Sequence, residues 1–159
     1  VLLNDAKDIT AKHIHHSVEI KNKVVLADPF EKNIRKTLNY GHTIGHAIES
    51  WSLINDKNSL LHGEAIAIGM ICEAYLAKET NGLSEEDLDK ITNTFIKFFG
   101  RYKIREGINN ALLDIMKQDK KNSDGKISFS LPNKIGSCSF DTFIEERLIL
   151  ESLKYYQSV

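Results

Sequence analysis

The sequence predicts a mainly α-helical protein, a multihelical bundle with one small antiparallel β-hairpin, on three observations. Apolar residues recur at helical spacing between Ser84 and Gly100, as on one face of a helix. The stretch Leu60 to Lys78 is apolar on every side, which is typical of a helix buried at the centre of a bundle. Near the C-terminus, Ile127 to Leu131 alternates apolar and polar residues, as a half-buried strand does.

The first half of the chain contains three predicted helices. Residues 8–26 carry apolar positions near one helical face. Residues 28–31 (Asp-Pro-Phe-Glu) fit either a turn or a helix start, with the Asp as N-cap and the Glu closing a capping box. One continuous central helix is expected from Arg35 to about Leu53. The second central helix, residues 60–78, is stopped by Asn81-Gly82.

The second half is predicted to hold two further helices, the hairpin and a last helix. Their expected ranges are 84–100, 108–117, 127–140 and about 141–156. Ser84 begins the first of these with a capping-box pattern, and Asp141 or Thr142 is expected to cap the last helix. Pro132-Asn133 supplies the turn of the hairpin.

Composition excludes several classes of protein. The formal net charge is −1, from 21 basic and 22 acidic residues, which argues against a nucleic-acid-binding surface. Two cysteines are too few for a disulfide scaffold. No apolar run is long enough to cross a membrane, and no leader pattern is present, so we expect a cytoplasmic protein. The chain begins Val-Leu-Leu without Met, as expected of one domain, 1–159, from a longer polypeptide.

A polar stripe within the predicted central helix is the strongest functional signal. On a helix, its members fall on one face: Arg35, Asn39, His42, His46 and Glu49. Gly41 and Gly45 flank this stripe, and each glycine costs a helix about 1 kcal/mol against alanine. We therefore expect another group to pack or bind very close to this backbone. A buried polar stripe needs partners, and a metal ion with an anionic ligand would satisfy it.

A third histidine strengthens the prediction of a metal site. His62 lies at the mouth of the second central helix, one loop after the pair His42 and His46, and zinc takes such a set. Two histidines four apart also arise by chance, and Thr43 stands where an HExxH motif has its Glu. The chain has no Gly-rich phosphate-binding loop after a strand, so any NAD must be held by another part of the polypeptide.

Several motifs together resemble the C-terminal domain of 3-dehydroquinate synthase. They are LNYGHTIGHAIE at 38–49, LHGEAIAIGM at 61–70 and DKKNSDGKISFSLPNKIG at 119–136, preceded by Lys21, Asp28, Glu31 and Arg35. The resemblance implies an all-helical domain that follows a Rossmann-like NAD domain, which this chain lacks. It also implies a shikimate-pathway lyase of aromatic amino acid biosynthesis, which converts 3-deoxy-arabino-heptulosonate 7-phosphate to 3-dehydroquinate and phosphate.

The resemblance also assigns roles to residues. His42 and His62 would bind Zn²⁺ or Co²⁺, and the third ligand would be a Glu of an AEVIK-like motif that is absent here. His46 would handle protons beside the substrate. Residues that would contact or orient the substrate are Lys21, Glu31, Arg35, Asn39, His46 and one of Lys120 and Lys121. The chain alone is therefore expected to be inactive, and the full-length enzyme is expected to be a homodimer.

Other interpretations of these residues, and other functions, remain open from the sequence. On composition alone, Lys21 reads as a solvated helix lysine, and Lys120 and Lys121 as a polar turn. The function could belong to a related sugar-phosphate cyclase that makes valiolone- or inosose-type rings, or to the more distant iron-dependent alcohol dehydrogenases. A third possibility is a non-catalytic helical module that binds metal.

Overall fold

The computed structural model describes residues 10–118 and 127–159. Its helices are α1 (Ala11–Ala27), a 3₁₀ helix (Ile34–Asn39), α2 (His42–Asn55), α3 (His62–Thr80), α4 (Glu85–Phe99), α5 (Asn109–Gln118) and α6 (Glu146–Ser158). The strands β1 (Ile127–Lys134) and β2 (Ser137–Ile144) form an antiparallel hairpin. The predicted fold class, a helical bundle with one small hairpin, is confirmed.

Helix α3 forms the centre of the bundle, as its all-round apolar sequence predicted. Its Cys72, Ala74 and Leu76 are fully buried, and α2, α4, α6 and β1 pack around it. By contrast, none of the side chains of α1, which lies wholly within the described residues, is buried. Its Ile14 and Val18 are about three-fifths exposed, at 60% and 61%. No helix in the described ranges is both long and apolar enough to cross a membrane.

The predicted central helix from Arg35 to Leu53 is wrong in its first part. A 3₁₀ helix ends at Asn39, and α2 begins only at His42. Between them Gly41 adopts φ +83°, in the left-handed region that a residue with a side chain rarely enters. The polar stripe from Arg35 to Glu49 is therefore divided between two elements and does not form one helical face.

Helices α2 and α3 touch through their backbones. A Cβ atom added to Gly69 of α3 would lie 2.0 Å from the carbonyl oxygen of Gly41 and 2.6 Å from the amide nitrogen of Gly45. A Cβ on Gly45 would in turn meet the carbonyl oxygen of Ala65 at 3.0 Å. The close approach that the glycines of the stripe predicted is thus confirmed, and the approaching group is α3.

The hairpin extends further than its sequence suggested, and the turn predicted at Pro132-Asn133 is wrong, because both residues lie in β1 and the turn is at Ile135-Gly136. Thr142, Phe143 and Ile144 continue the ladder and pair with residues 127–129 of β1. The expectation that Asp141 or Thr142 caps the last helix is therefore wrong, because both residues lie in β2 and α6 begins at Glu146. Asp141 adopts φ +56° at an irregularity of the ladder.

The segment 28–31 is a turn, which decides between the two predicted alternatives. The carboxylate of the buried Asp28 accepts backbone N–H groups of Lys32 at 3.0 Å, Asn33 at 2.6 Å and Arg35 at 3.1 Å. Burial would raise the pKa of Asp28, but these donors and the nearby Arg35 guanidinium bring it below its usual value. Asp28 thus fixes the loop that leads to the 3₁₀ helix.

Candidate metal and substrate site

Three histidines converge where α2 and α3 meet. His42 begins α2, His46 follows one turn later, and His62 begins α3. Their ring centroids lie 5.2 to 5.7 Å apart. Each ring offers one nitrogen, and these nitrogens lie within 4.8 Å of one another. The imidazoles of one cluster can therefore share a divalent cation, since His nitrogen ligands surround zinc at about 2.0–2.1 Å.

Two of these rings are oriented by hydrogen bonds that their Nδ1–H groups donate. His62 Nδ1 lies 3.0 Å from Oε2 of Glu49, and His42 Nδ1 lies 3.2 Å from the carbonyl oxygen of Tyr40. Such contacts fix the tautomer and the ring orientation of a metal-binding histidine, leaving Nε2 for the cation. Sequence reasoning placed Glu49 on the polar stripe without this role, although its position one turn after His46 was the available signal.

Glu73 of α3 holds the start of α2 in place. Its side chain is fully buried, and its two oxygens accept the backbone N–H groups of Gly41 at 2.6 Å and Ile44 at 3.1 Å. Burial raises the pKa of Glu73 to about 8, although the N–H groups of Gly41, Ile44 and Thr43 lower it. Sequence analysis missed this residue, yet an acid inside the apolar run of α3 was the signal.

A cleft of about 390 Å³ opens beside the histidines. Its walls are formed by Glu31, Lys36, Asn39, His42, Thr43, His46, Ser128, Phe129, Ser130 and Asp141. The hairpin is tied to the other walls by two hydroxyls: Thr43 donates to the Ser128 carbonyl at 3.3 Å, and Ser130 donates to the Lys36 carbonyl at 2.7 Å. The cleft therefore joins the 3₁₀ helix, α2 and the hairpin into one polar site.

The predicted substrate residues are only partly brought together. Asn39 donates to Glu31 at 2.7 Å, and both line the cleft. Arg35 lies 3.8 Å from Glu31 and donates to the Pro29 carbonyl at 2.9 Å. Neither Arg35 nor the exposed Lys21 of α1 is among the described residues that line the cleft. The predicted Lys120 and Lys121 lie outside the described residues.

Comparison with known proteins identifies the family to which this chain belongs. A family model described as 3-dehydroquinate synthase C-terminal matches residues 1–122. The chain belongs to this family. Relatives named 3-dehydroquinate synthase include those of Parabacteroides distasonis, 35% identical over 144 residues, and Thermodesulfovibrio yellowstonii, 44% identical over 138 residues. These alignments cover 91% and 85% of this chain but only 40% and 37% of the relatives.

Two solved structures share the fold of this chain. A 2-deoxy-scyllo-inosose synthase complexed with carbaglucose-6-phosphate, NAD⁺ and Co²⁺ is 25% identical, with a TM-score of 0.75. The match covers 98% of this chain and 47% of that one. The 2-epi-5-epi-valiolone synthase ValA from Streptomyces hygroscopicus, with NAD⁺ and Zn²⁺ bound, is 20% identical, with a TM-score of 0.70. This match covers 92% of this chain and 40% of ValA, and at this identity it shows a shared fold alone.

Proposed function

We propose that the full-length protein that carries this chain is a 3-dehydroquinate synthase. It would convert 3-deoxy-arabino-heptulosonate 7-phosphate to 3-dehydroquinate and phosphate, in the shikimate pathway. The observation that carries the proposal is the convergence of His42, His46 and His62 beside a polar cleft, in a chain whose curated relatives bear this name. Because the chain spans about two fifths of those relatives, the activity belongs to the longer protein.

The histidine cluster fits a divalent metal ion. In the proposal His42 and His62 hold Zn²⁺ or Co²⁺, because each has its Nδ1 engaged by an oxygen atom that orients the ring. When bound, the metal would polarise the substrate hydroxyl that is oxidised. The missing part of the protein would supply a third ligand and the NAD site. A set of two histidines and one carboxylate is a common arrangement for catalytic zinc.

The other site residues would hold the substrate and move its protons. His46 lines the cleft one turn after His42, so its ring can reach a substrate hydroxyl without belonging to the ligand pair. Asn39, oriented by Glu31, offers hydrogen bonds to substrate hydroxyls. Positively charged Lys21, Arg35 and one of Lys120 and Lys121 would bind the carboxylate and phosphate, which are the anions that Arg and Lys recognise.

The direct test is turnover by the purified full-length protein. Phosphate release and appearance of 3-dehydroquinate from the heptulosonate phosphate, dependent on NAD⁺ and a divalent metal, are expected. A protein that releases no phosphate from this substrate, while it turns over another sugar phosphate, would refute the assignment. The homodimer and the cytoplasmic location also stay predictions, and sedimentation of the full-length protein would test the first.

A related cyclase is the second candidate. The inosose synthase structure shares the fold over nearly the whole chain, so a hexose phosphate is the competing substrate. Identity favours the first candidate, because the named 3-dehydroquinate synthases are 35% and 44% identical against 25% for the inosose synthase. Parallel assays with both sugar phosphates separate the two.

A further inference from the structure

A β-bulge in the hairpin aims one carboxylate into the cleft. Phe129 pairs with Thr142 and Leu131 pairs with Ser139, so two residues of β2, Phe140 and Asp141, stand opposite one residue of β1. Asp141 adopts φ +56° there, in the left-handed region that non-glycine residues rarely adopt. Bulges of this kind occur next to active sites, where they redirect a side chain.

The side chain that meets this carboxylate is Lys36 of the 3₁₀ helix. Lys36 Nζ lies 2.5 Å from Asp141 Oδ2, and 5.5 Å from the centre of the Phe140 ring. Both residues of the bulge therefore touch the same ammonium group. Asp141 remains about half exposed, at 53%, whereas Lys36 is 28% exposed. Of the two side chains that meet in the cleft, Lys36 is thus the less exposed.

Lys36 lines the cleft, whereas the neighbouring Arg35 is not among the described residues that line it. It lines the cleft together with Asn39, His42 and His46, whereas Arg35 turns to Glu31 and the Pro29 carbonyl. Its backbone is fixed by the hydroxyl of Ser130, which donates to its carbonyl oxygen. An ammonium in this position can exchange one partly exposed carboxylate for another anion of similar geometry, because an ion pair that is open to solvent on one side contributes little stability.

We infer that Lys36 is a substrate-binding cation of the cleft, which exchanges Asp141 for the carboxylate or the phosphate of the substrate. Asp141 then acts as a built-in competitor that discriminates against weakly charged ligands. The inference rests on the proposed function for the identity of the substrate, but not for the binding of an anion. No sequence motif marks either residue, because their pairing joins positions 105 apart in the chain.

The test compares opposite substitutions in the full-length protein. Lys36→Met is expected to weaken binding of the anion about ten-fold, since it removes a charge-assisted hydrogen bond. Asp141→Asn is expected to strengthen binding about three-fold, because it removes the competing carboxylate. Binding of inorganic phosphate and of the phosphate-free sugar acid is measured by calorimetry, and KM and kcat are measured with the heptulosonate phosphate.

The two ligands distinguish the source of the anion. A loss confined to inorganic phosphate assigns Lys36 to the phosphate group, and a loss confined to the sugar acid assigns it to the carboxylate. Lys90→Met is the matched control, since Lys90 forms an exposed pair with Glu86 at 2.7 Å on α4, away from the cleft. Melting temperatures identify any variant that fails to fold.

Two outcomes overturn the inference. One is unchanged binding of both anions by Lys36→Met. The other is a shift in the same direction from Lys36→Met and Asp141→Asn, as a purely structural ion pair would give. Calorimetry separates this failure from that of the proposed function, because anion binding can depend on Lys36 even in a protein that does not turn over the heptulosonate phosphate.

Discussion

Gly69→Ala should destabilise the fold and disturb the histidine cluster at the same time. The added Cβ would lie 2.0 Å from the carbonyl oxygen of Gly41, although real Cβ atoms essentially never approach a heavy atom closer than 3.0 Å. The atoms that the Cβ would meet, the Gly41 carbonyl oxygen and the Gly45 nitrogen, belong to the backbone, so no side chain can rotate away to make room. Helices α2 and α3 would have to separate by about 1 Å, and backbone shifts forced by overpacking destabilise a core.

The magnitude follows from two opposing contributions. Alanine in place of glycine favours the helix by about 1 kcal/mol. Separation of α2 from α3 loosens the packing of Ile44, Ile48 and the centre of α3, and overpacking of a core costs about 1–3 kcal/mol or more. Because the contact is backbone against backbone, we expect a cost at the upper end of this range, about 3 kcal/mol, and therefore a net loss on the order of 2 kcal/mol. For a chain of this size that corresponds to roughly 4–8 °C in Tm.

The assay is chemical and thermal denaturation, with Gly63→Ala as the matched control. Gly63 also lies in α3, but the nearest atom to its added Cβ is Phe99 Cε1, at 4.0 Å. The control should be neutral or slightly more stable. In the full-length protein, metal content should fall with Gly69→Ala, because His42 would move away from His62. A Gly69→Ala protein as stable as wild type would refute the argument from the helix contact.

Three other predictions concern the ionisable groups of the site. His42→Ala and His62→Ala in the full-length protein should lower both metal content and turnover, whereas His46→Ala should keep the metal and lose rate; metal analysis with kinetics checks this, and normal metal content in the first two would contradict it. The present chain alone should bind zinc weakly and melt at the same temperature with or without chelator, because its core needs no metal; nanomolar binding by calorimetry, or unfolding on chelation, would contradict it. Stability should fall as pH rises from about 4.5 to about 8, because the folded-state pKa of Glu73 is raised to about 8 and the folded state then holds a proton that the unfolded state releases. Glu73→Gln should flatten this slope, worth a few kcal/mol at most (about 1.4 kcal/mol per pKa unit), and an unchanged slope would show that another group causes it.

Local signals predicted most of the fold correctly. Ser84 caps α4 by accepting the Asp87 N–H at 3.1 Å, and Gly100 ends that helix at φ +74°, as their sequence context indicated. The apolar run of α3 predicted its central position. Such signals act over a few residues of chain, so they can be read directly from the sequence.

The errors arose where distant residues decide the local structure. Glycine within a helix and glycine at a helix break look alike in sequence, and Glu73, 32 residues away, stabilises the break at Gly41. Asp141 is a good helix cap by type, but pairing of β2 with β1 holds that segment extended. These decisions come from tertiary packing, which residue type alone does not encode.

In the candidate site, too, the residues set by local sequence were predicted and those set by distant contacts were missed. The spacing of His42, His46 and His62 placed all three on the site, because helix periodicity is local and the loop between the helices is short. Lys36 escaped notice because its partner Asp141 comes from the hairpin, far along the chain. Local sequence thus identified the candidate metal-binding histidines, whereas the proposed anion-binding role of Lys36 could be inferred only from the three-dimensional fold.

The glycine contact between α2 and α3 makes the smallest buried residues less tolerant of substitution than the large apolar ones, the reverse of what is usual in a core. Large apolar residues such as Ile44 and Leu76 can exchange for others of similar volume, with neighbours adjusting around them. Gly41 and Gly69 offer no such freedom, since one is held at a positive φ and the other abuts a peptide group. A saturation library should therefore show its deepest losses at the two smallest positions. Random substitutions that accumulate in this chain would then disturb the alignment of the histidines before they unfold the bundle.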